Sequence, residues 1–136
     1  MSYLLDSNMW IALLRWNNAE VLTRLKQSPP EEILLCSVVL AELWYGAEHG
    51  HPNHRDNNYA IVNELESRYR SLPFDTAAAR DYALIRAHLT SAGQPIGPND
   101  TMIAAIARSR NVTLVTNNTA EFSRVPGLML DDWQLQ

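Results

Sequence analysis

Short apolar runs that alternate with longer, helix-like segments are the feature that most restricts the fold of this chain. Residues 3–5, for example, form an apolar run that stops abruptly at Asp6. This alternation predicts an α/β fold, a twisted and mostly parallel sheet of four to five strands flanked by helices. Ser37 and Asp75 are the predicted N-caps of two of the helices. The predicted strands are 3–5, 33–36, 72–74, 112–115 and 128–130, and the predicted helices are 9–16, 19–27, 37–48, 56–70, 76–91 and 99–109.

The composition excludes several classes of protein. Hydrophobic residues make up 46% of the chain and charged residues 19%, which excludes a disordered chain. No apolar run approaches the roughly 18–20 residues that span a bilayer, and the acid at position 6 argues against a signal peptide. The lone cysteine, Cys36, allows no internal disulfide, so we expect a reduced, cytoplasmic protein. The net charge of −4 argues against a protein that coats nucleic acid.

Three acidic residues lie where an unpaired charge is costly. Asp6 directly follows an apolar strand, Glu42 is surrounded by apolar residues of a helix, and Asp100 opens the apolar segment 102–107. Each has an ordinary structural explanation: Asp6 and Asp100 as helix caps, and Glu42 as a solvated glutamate. If the three converge, their mutual repulsion calls for a cation. Carboxylate oxygens suit Mg²⁺ or Mn²⁺, which serve phosphodiester hydrolysis.

Asp6 also suggests a different chemistry, because an aspartate that ends the first strand is the phosphate acceptor in haloacid-dehalogenase-like phosphatases and response-regulator receivers. Those sites use a downstream lysine, and Lys26 is the only lysine among the eleven basic residues here. The phosphatase pattern also requires a second aspartate where this chain has Asn8. Both phosphate-acceptor readings are therefore disfavoured.

Four short segments, taken in order, resemble the motifs of PIN-domain ribonucleases, and specifically the VapC toxins of bacterial type II toxin–antitoxin pairs. The first is the apolar strand followed by Asp6-Ser7-Asn8, which is similar to the family's Asp-Thr-Asn. The other three are Ser37-Val38-Val39-Leu40-Ala41-Glu42-Leu43, Pro95-Ile96-Gly97-Pro98-Asn99-Asp100, and Leu114-Val115-Thr116-Asn117-Asn118 with Glu121-Phe122. No single motif is specific, but their order and spacing extend the resemblance over nearly the whole chain.

The resemblance implies that residues 1–136 form a single domain with the PIN-like fold. It also implies a catalytic site of Asp6, Glu42 and Asp100, in which Asp6 and Asp100 bind Mg²⁺, with Mn²⁺ as the alternative ion. Glu42 would orient or deprotonate the attacking water.

The fourth motif departs from the family pattern, because Asn118 stands where many PIN domains have an acid. Asparagine is able to ligate a cation through its carbonyl oxygen but adds no charge. The supporting or water-orienting residues that we expect at the site are Ser7, Asn8, Asn118 and Glu121.

The resemblance further implies an RNA substrate, most simply tRNA, with the anticodon loop of initiator tRNA as the best guess. It implies a VapB-like antitoxin, a homodimer, and operator DNA bound only through the antitoxin. The alternative is a PIN-like binding module whose catalysis has decayed and which acts with its antitoxin as an autorepressor. The expected RNA or antitoxin contacts are Arg86, Arg15, Trp10, Trp44 and Tyr45, and an interface is favoured for the three aromatic residues. His49, His51 and His54 are assigned to a solvated loop region rather than to a metal site.

Overall fold

A computed structural model describes residues 1–134, and in it strands and helices alternate from the first residues onward. The α/β prediction is therefore confirmed. Short 3-10 turns at Pro30–Glu32 and Pro52–His54 precede β2 and α4. The elements are β1 (Tyr3–Leu5), α1 (Ser7–Trp16), α2 (Ala19–Gln27), β2 (Ile33–Cys36), α3 (Ser37–His49), α4 (Arg55–Arg68), β3 (Arg70–Leu72), α5 (Thr76–Ser91), α6 (Pro98–Arg110), β4 (Thr113–Val115), α7 (Thr119–Phe122) and β5 (Leu130–Asp131).

The five strands form one sheet in the order β3-β2-β1-β4-β5, and every pairing among them is parallel. β1 lies in the centre, with Tyr3 paired to Ile33 of β2 on one side and to Thr113 of β4 on the other. The chain therefore leaves β1 toward one half of the sheet and later returns to the other half. In such sheets a crevice forms at the carboxyl ends of the strands where the order reverses, and Asp6 lies there.

The core lies on both faces of the sheet, as expected for parallel strands covered by helices. The whole of β2 is buried, and residues 103–107 of α6 are at most 1% exposed. Trp10 is completely buried, with its ring centroid 5.4 Å from that of Tyr69. The expectation that Trp10 contacts RNA or an antitoxin is therefore wrong: α1 turns this side chain into the core, where it packs against Tyr69, the residue before β3.

Of the two predicted N-caps, one differs from the structure and one is confirmed. Cys36, rather than Ser37, caps α3, because its sulfur accepts a hydrogen bond from the Val39 N–H at 3.5 Å. The Ser37 hydroxyl instead accepts from the Phe74 N–H at 3.1 Å. Asp75 is confirmed as the N-cap of α5.

Three strand positions also differ, and the smallest difference is that β4 begins at Thr113 rather than at residue 112. β3 occupies 70–72 rather than 72–74, and it ends before Pro73, which has no N–H to donate to a neighbouring strand. β5 occupies 130–131 rather than 128–130. Across the described part of the chain, no helix has the length and apolar character needed to cross a bilayer.

Candidate active site

Asp6 lies at the centre of the carboxyl edge of the sheet. Its backbone N–H donates to the Val115 carbonyl at 3.0 Å, which extends the pairing of β1 with β4, and its Oδ1 accepts from the Met9 N–H at 3.0 Å to cap α1. The residue is only 5% exposed. Burial raises the pKa of Asp6 to about 6, although hydrogen bonds from Thr116 and Met9 oppose that rise. A carboxylate in this position is stabilised by any cation that reaches it.

Glu42 reaches the same edge from α3, where it is half-buried. Its Oε1 accepts a hydrogen bond of 2.7 Å from the hydroxyl of Ser7, the first residue of α1. The charge of Glu42 also raises the pKa of Asp6. The Ser7–Glu42 hydrogen bond thus fixes the Glu42 carboxylate relative to α1, the helix that Asp6 caps.

Asp100 is the third carboxylate and lies in the first turn of α6. Burial raises its pKa, and the charges of Glu42 and then Glu121 raise it further. The partial positive charge at the start of a helix favours an anion at this point. Asp6, which caps α1, Glu42 of α3 and Asp100 of α6 therefore converge to within electrostatic reach of one another.

Asn118 and Glu121 form the remaining side of the site, between β4 and α7. The Asn118 amide donates to Glu121 Oε2 at 3.1 Å, and its backbone N–H donates to the Thr116 hydroxyl at 3.0 Å. Because Glu121 acts on the pKa of Asp100, its charge lies within the electrostatic reach of the site. Asn118 carries no charge itself, but its amide hydrogen-bonds the carboxylate of Glu121.

A cleft of about 380 Å³ opens beside Glu42, and Ser7, Asn8, Tyr45 and Asn99 are among the residues that line it. Asn99, which lines the cleft, and Thr116, which hydrogen-bonds Asp6, were not predicted as site residues. Both carried a signal, since Asn99 precedes the first acid of α6 and Thr116 is the first polar residue after β4.

The donor set at this edge fits a hard divalent cation. All donors are oxygen atoms, neighbouring carboxylates raise the pKa of both Asp6 and Asp100, and Asp6 is buried with its ionised form disfavoured. Within residues 1–134, however, no three histidine, cysteine, aspartate or glutamate side chains form a ready-made metal cage. Mg²⁺ does not require such a cage, because that ion binds one or two carboxylates and keeps several waters.

The predicted contact residues lie in different surroundings. Arg86, on α5, donates to the Tyr82 hydroxyl at 3.3 Å, and Arg15 lines a groove between α1, α3 and α4 that Glu42 also borders. Trp44 is half-buried, and its indole N–H donates to Glu66 at 2.6 Å. Only Tyr45 among the three aromatic candidates is largely exposed.

The fold and the carboxylates at the carboxyl edge of the sheet define the class of the protein, which is an α/β protein with an acidic site. Comparison with known proteins identifies its family. The sequence model of the PIN-domain family matches residues 3–128. The chain therefore belongs to the PIN-domain family.

Within that family the relatives are VapC ribonucleases. The chain is 41% identical over 133 residues to the tRNA(fMet)-specific endonuclease VapC of Shigella flexneri, covering 98% of each protein. The DNA-bound VapBC structure from Salmonella typhimurium contains a chain with a TM-score of 0.91 and 37% identity, with 98% of each chain covered. The VapBC2 structure from Rickettsia felis gives a TM-score of 0.90 and 32% identity, covering 98% of this chain and 99% of that one. The predicted family and the PIN-like fold are both confirmed.

Proposed function

We infer that this protein is the endoribonuclease toxin of a VapBC-type pair, that it depends on Mg²⁺ or Mn²⁺, and that it cleaves tRNA. The observation that carries the proposal is the convergence of Asp6, Glu42 and Asp100 at one edge of the sheet, with raised pKa values for both aspartates. The Shigella flexneri relative is named for action on tRNA(fMet). We therefore take the anticodon loop of initiator tRNA as the first substrate to test, since unstacked loop bases are the part of an RNA that proteins read.

In the proposed reaction, a water attacks the phosphorus atom, the bond from phosphorus to the 3′-oxygen breaks, and the products are a 3′-hydroxyl and a 5′-phosphate. Asp6 and Asp100 would hold a divalent ion, which would neutralise these carboxylates and stabilise charge on the phosphate. Glu42 accepts a proton of the attacking water, and the leaving 3′-oxygen takes a proton from the solvent. The Ser7 hydroxyl, 2.7 Å from Glu42, holds that carboxylate in place.

Three further side chains, Asn8, Asn118 and Glu121, are proposed to support the site. Asn8 lines the cleft and is exposed, so it is available to orient substrate or water. Asn118 positions Glu121, and Glu121 supplies the charge that Asn118 lacks. Because the site is acidic and the chain carries a net charge of −4, arginines must supply positive potential for RNA. Arg86 and Arg15 are the candidates.

The proposed protein partners are a VapB-like antitoxin and a second copy of the chain. Three of the solved structures that resemble this chain, from Rickettsia felis, Salmonella typhimurium and Haemophilus influenzae, are titled VapBC, and the first two contain DNA. We propose that the antitoxin covers the cleft, directs a basic side chain at the carboxylates, and carries the complex to operator DNA. Trp44 and Tyr45 are the aromatic residues available near this surface.

Asn118 favours a second candidate function, because it replaces an acid of the fourth motif. In that case the chain is a PIN-like binding module without catalysis that acts only with its antitoxin as an autorepressor. Induction of the protein alone in cells separates the two. The nuclease proposal predicts growth arrest that Asp6→Asn abolishes, whereas arrest that survives the substitution contradicts the catalytic assignment.

The direct test is cleavage of end-labelled total tRNA by the antitoxin-free protein in Mg²⁺, in Mn²⁺ and in EDTA. We expect one discrete cut that EDTA and Asp100→Asn both abolish. Asp56→Asn is the matched control, because Asp56 also lies in the first turn of a helix but is exposed and does not line the cleft. Folded protein that cuts no RNA in either ion contradicts the proposal.

A further inference from the structure

Six large hydrophobic side chains are exposed within residues 1–134, and one of them lies at the cleft. Among residues 1–134 the exposed large hydrophobic residues include two aromatic ones, Trp16 at 72% and Tyr45 at 65%. Tyr45 lines the cleft together with Glu42 and Asn99, whereas Trp16 does not. An aromatic side chain with this exposure beside an acidic site has an unused ring face.

The placement of Tyr45 follows from the geometry of α3. Tyr45 is three residues after Glu42, so both side chains lie on the same face of the helix. Three residues correspond to about 4.5 Å along a helix axis. A flat group resting on Tyr45 is therefore adjacent to whatever occupies the space in front of Glu42.

The ring of Tyr45 is also oriented by a neighbour. His49, one turn further along α3, stacks on it with a centroid separation of 5.2 Å and an angle of 10° between the planes. The imidazole thus lies over part of one face of the tyrosine ring, while Tyr45 as a whole remains 65% exposed. The neighbouring Trp44 differs, because its ring packs against Tyr59 and its N–H is bonded to Glu66.

We propose that the Tyr45–His49 stack is a platform for one nucleobase of the RNA, belonging to a nucleotide next to the phosphate that is cut. The inference rests on the proposed function and names a part of the substrate that the carboxylates do not bind. Stacking on an aromatic ring needs no positive charge and accepts any base. It therefore suits a site whose own charge repels the RNA backbone, and it favours an unpaired loop in which a base is free to leave the stack.

Cleavage of an anticodon stem-loop RNA tests the platform, with intact bases and with an abasic nucleotide placed in turn on each side of the cut. For the wild-type protein we expect kcat/KM to fall about ten-fold at one abasic position. For Tyr45→Ala we expect kcat/KM to be about ten-fold lower than that of the wild-type protein on the intact RNA. We expect no further loss of kcat/KM for this variant at that abasic position. Tyr45→Trp keeps the platform and the wild-type pattern, and Trp16→Ala is the matched control at an exposed aromatic outside the cleft. If Tyr45→Ala and the abasic nucleotide lowered kcat/KM independently, so that together they gave the product of the two separate losses, the proposal would be overturned.

A binding measurement in EDTA separates the platform from the nuclease. The probe is the same stem-loop with 2-aminopurine next to the cut, whose fluorescence changes when the base stacks on a ring. We expect a change with wild-type protein and with Trp16→Ala, and none with Tyr45→Ala. If the wild-type protein cuts no RNA, the proposed function fails. The change in 2-aminopurine fluorescence still shows whether a base stacks on Tyr45. Unchanged RNA signals for Tyr45→Ala, combined with lost inhibition by the antitoxin, would overturn the proposal in favour of a protein contact.

Discussion

Replacing Asp6 by asparagine is expected to stabilise the metal-free protein while abolishing its activity. Burial holds the pKa of Asp6 at about 6, against an ordinary value of 3.8. A rise of this size corresponds to about 3 kcal/mol of folding free energy once the carboxylate is ionised. Asparagine removes the charge and keeps an oxygen that accepts from the Met9 N–H. One altered hydrogen bond with Thr116 offsets about 1 kcal/mol, so the net gain is about 2 kcal/mol at pH 8.

The pH dependence of this gain has a definite sign. Below about pH 4 the carboxyl group is protonated in both the folded and the unfolded protein, and the stability of the wild-type protein carries no penalty. Between pH 4 and 6 the unfolded chain loses the proton first, so the wild-type protein becomes less stable as the pH rises. The advantage of Asp6→Asn therefore grows over this range and is constant above about pH 7.

The assay is urea unfolding in EDTA at pH 4 to 8, followed by tryptophan fluorescence, to which the fully buried Trp10 and Trp133 contribute. Asp75→Asn is the matched control, since Asp75 also caps a helix. The Ala78 N–H and Arg110 hold the pKa of Asp75 below its usual value, so this substitution is expected to destabilise the protein at pH 8. Equal or lower stability of Asp6→Asn at pH 8 would refute the reasoning, because it would mean that the buried carboxylate carries no cost.

Three further outcomes follow from the same structure. Ser7→Ala is expected to lower kcat for RNA cleavage about ten-fold through the loss of its bond to Glu42, and Ser7→Thr to restore it; equal rates for the two variants would exclude a positioning hydroxyl. Arg108→Met is expected to lower the free energy of unfolding by about 2–3 kcal/mol in urea titrations, because Asp81 loses two hydrogen bonds of 2.7 and 2.9 Å in a partly buried pair. Burial raises the pKa of the Cys36 thiol to about 11, so a thiol reagent at pH 8 should react only after unfolding; rapid reaction of the folded protein would contradict this.

Most of the fold could be predicted from the sequence, because the signals are local. The strand at 33–36 and the helices at 19–27 and 76–91 have the predicted bounds, since apolar periodicity and flanking polar residues mark them directly. The weaker strands shifted by a residue or more, because two- and three-residue strands carry little periodicity of their own. The acids at element ends were visible for the same local reason.

The relations among those acids depend on the tertiary structure. The sequence contains Asp6, Glu42 and Asp100, but only the sheet order places the ends of β1 and β4 together and brings α3 and α6 to the same edge. The Ser7–Glu42 bond joins residues 35 positions apart, and no local pattern encodes it. Trp10 and Tyr45 were predicted alike as contact residues, yet packing buries the first completely and leaves the second exposed. The raised pKa of Asp6 has the same origin, since burial by distant segments, rather than any neighbour in sequence, is its largest cause.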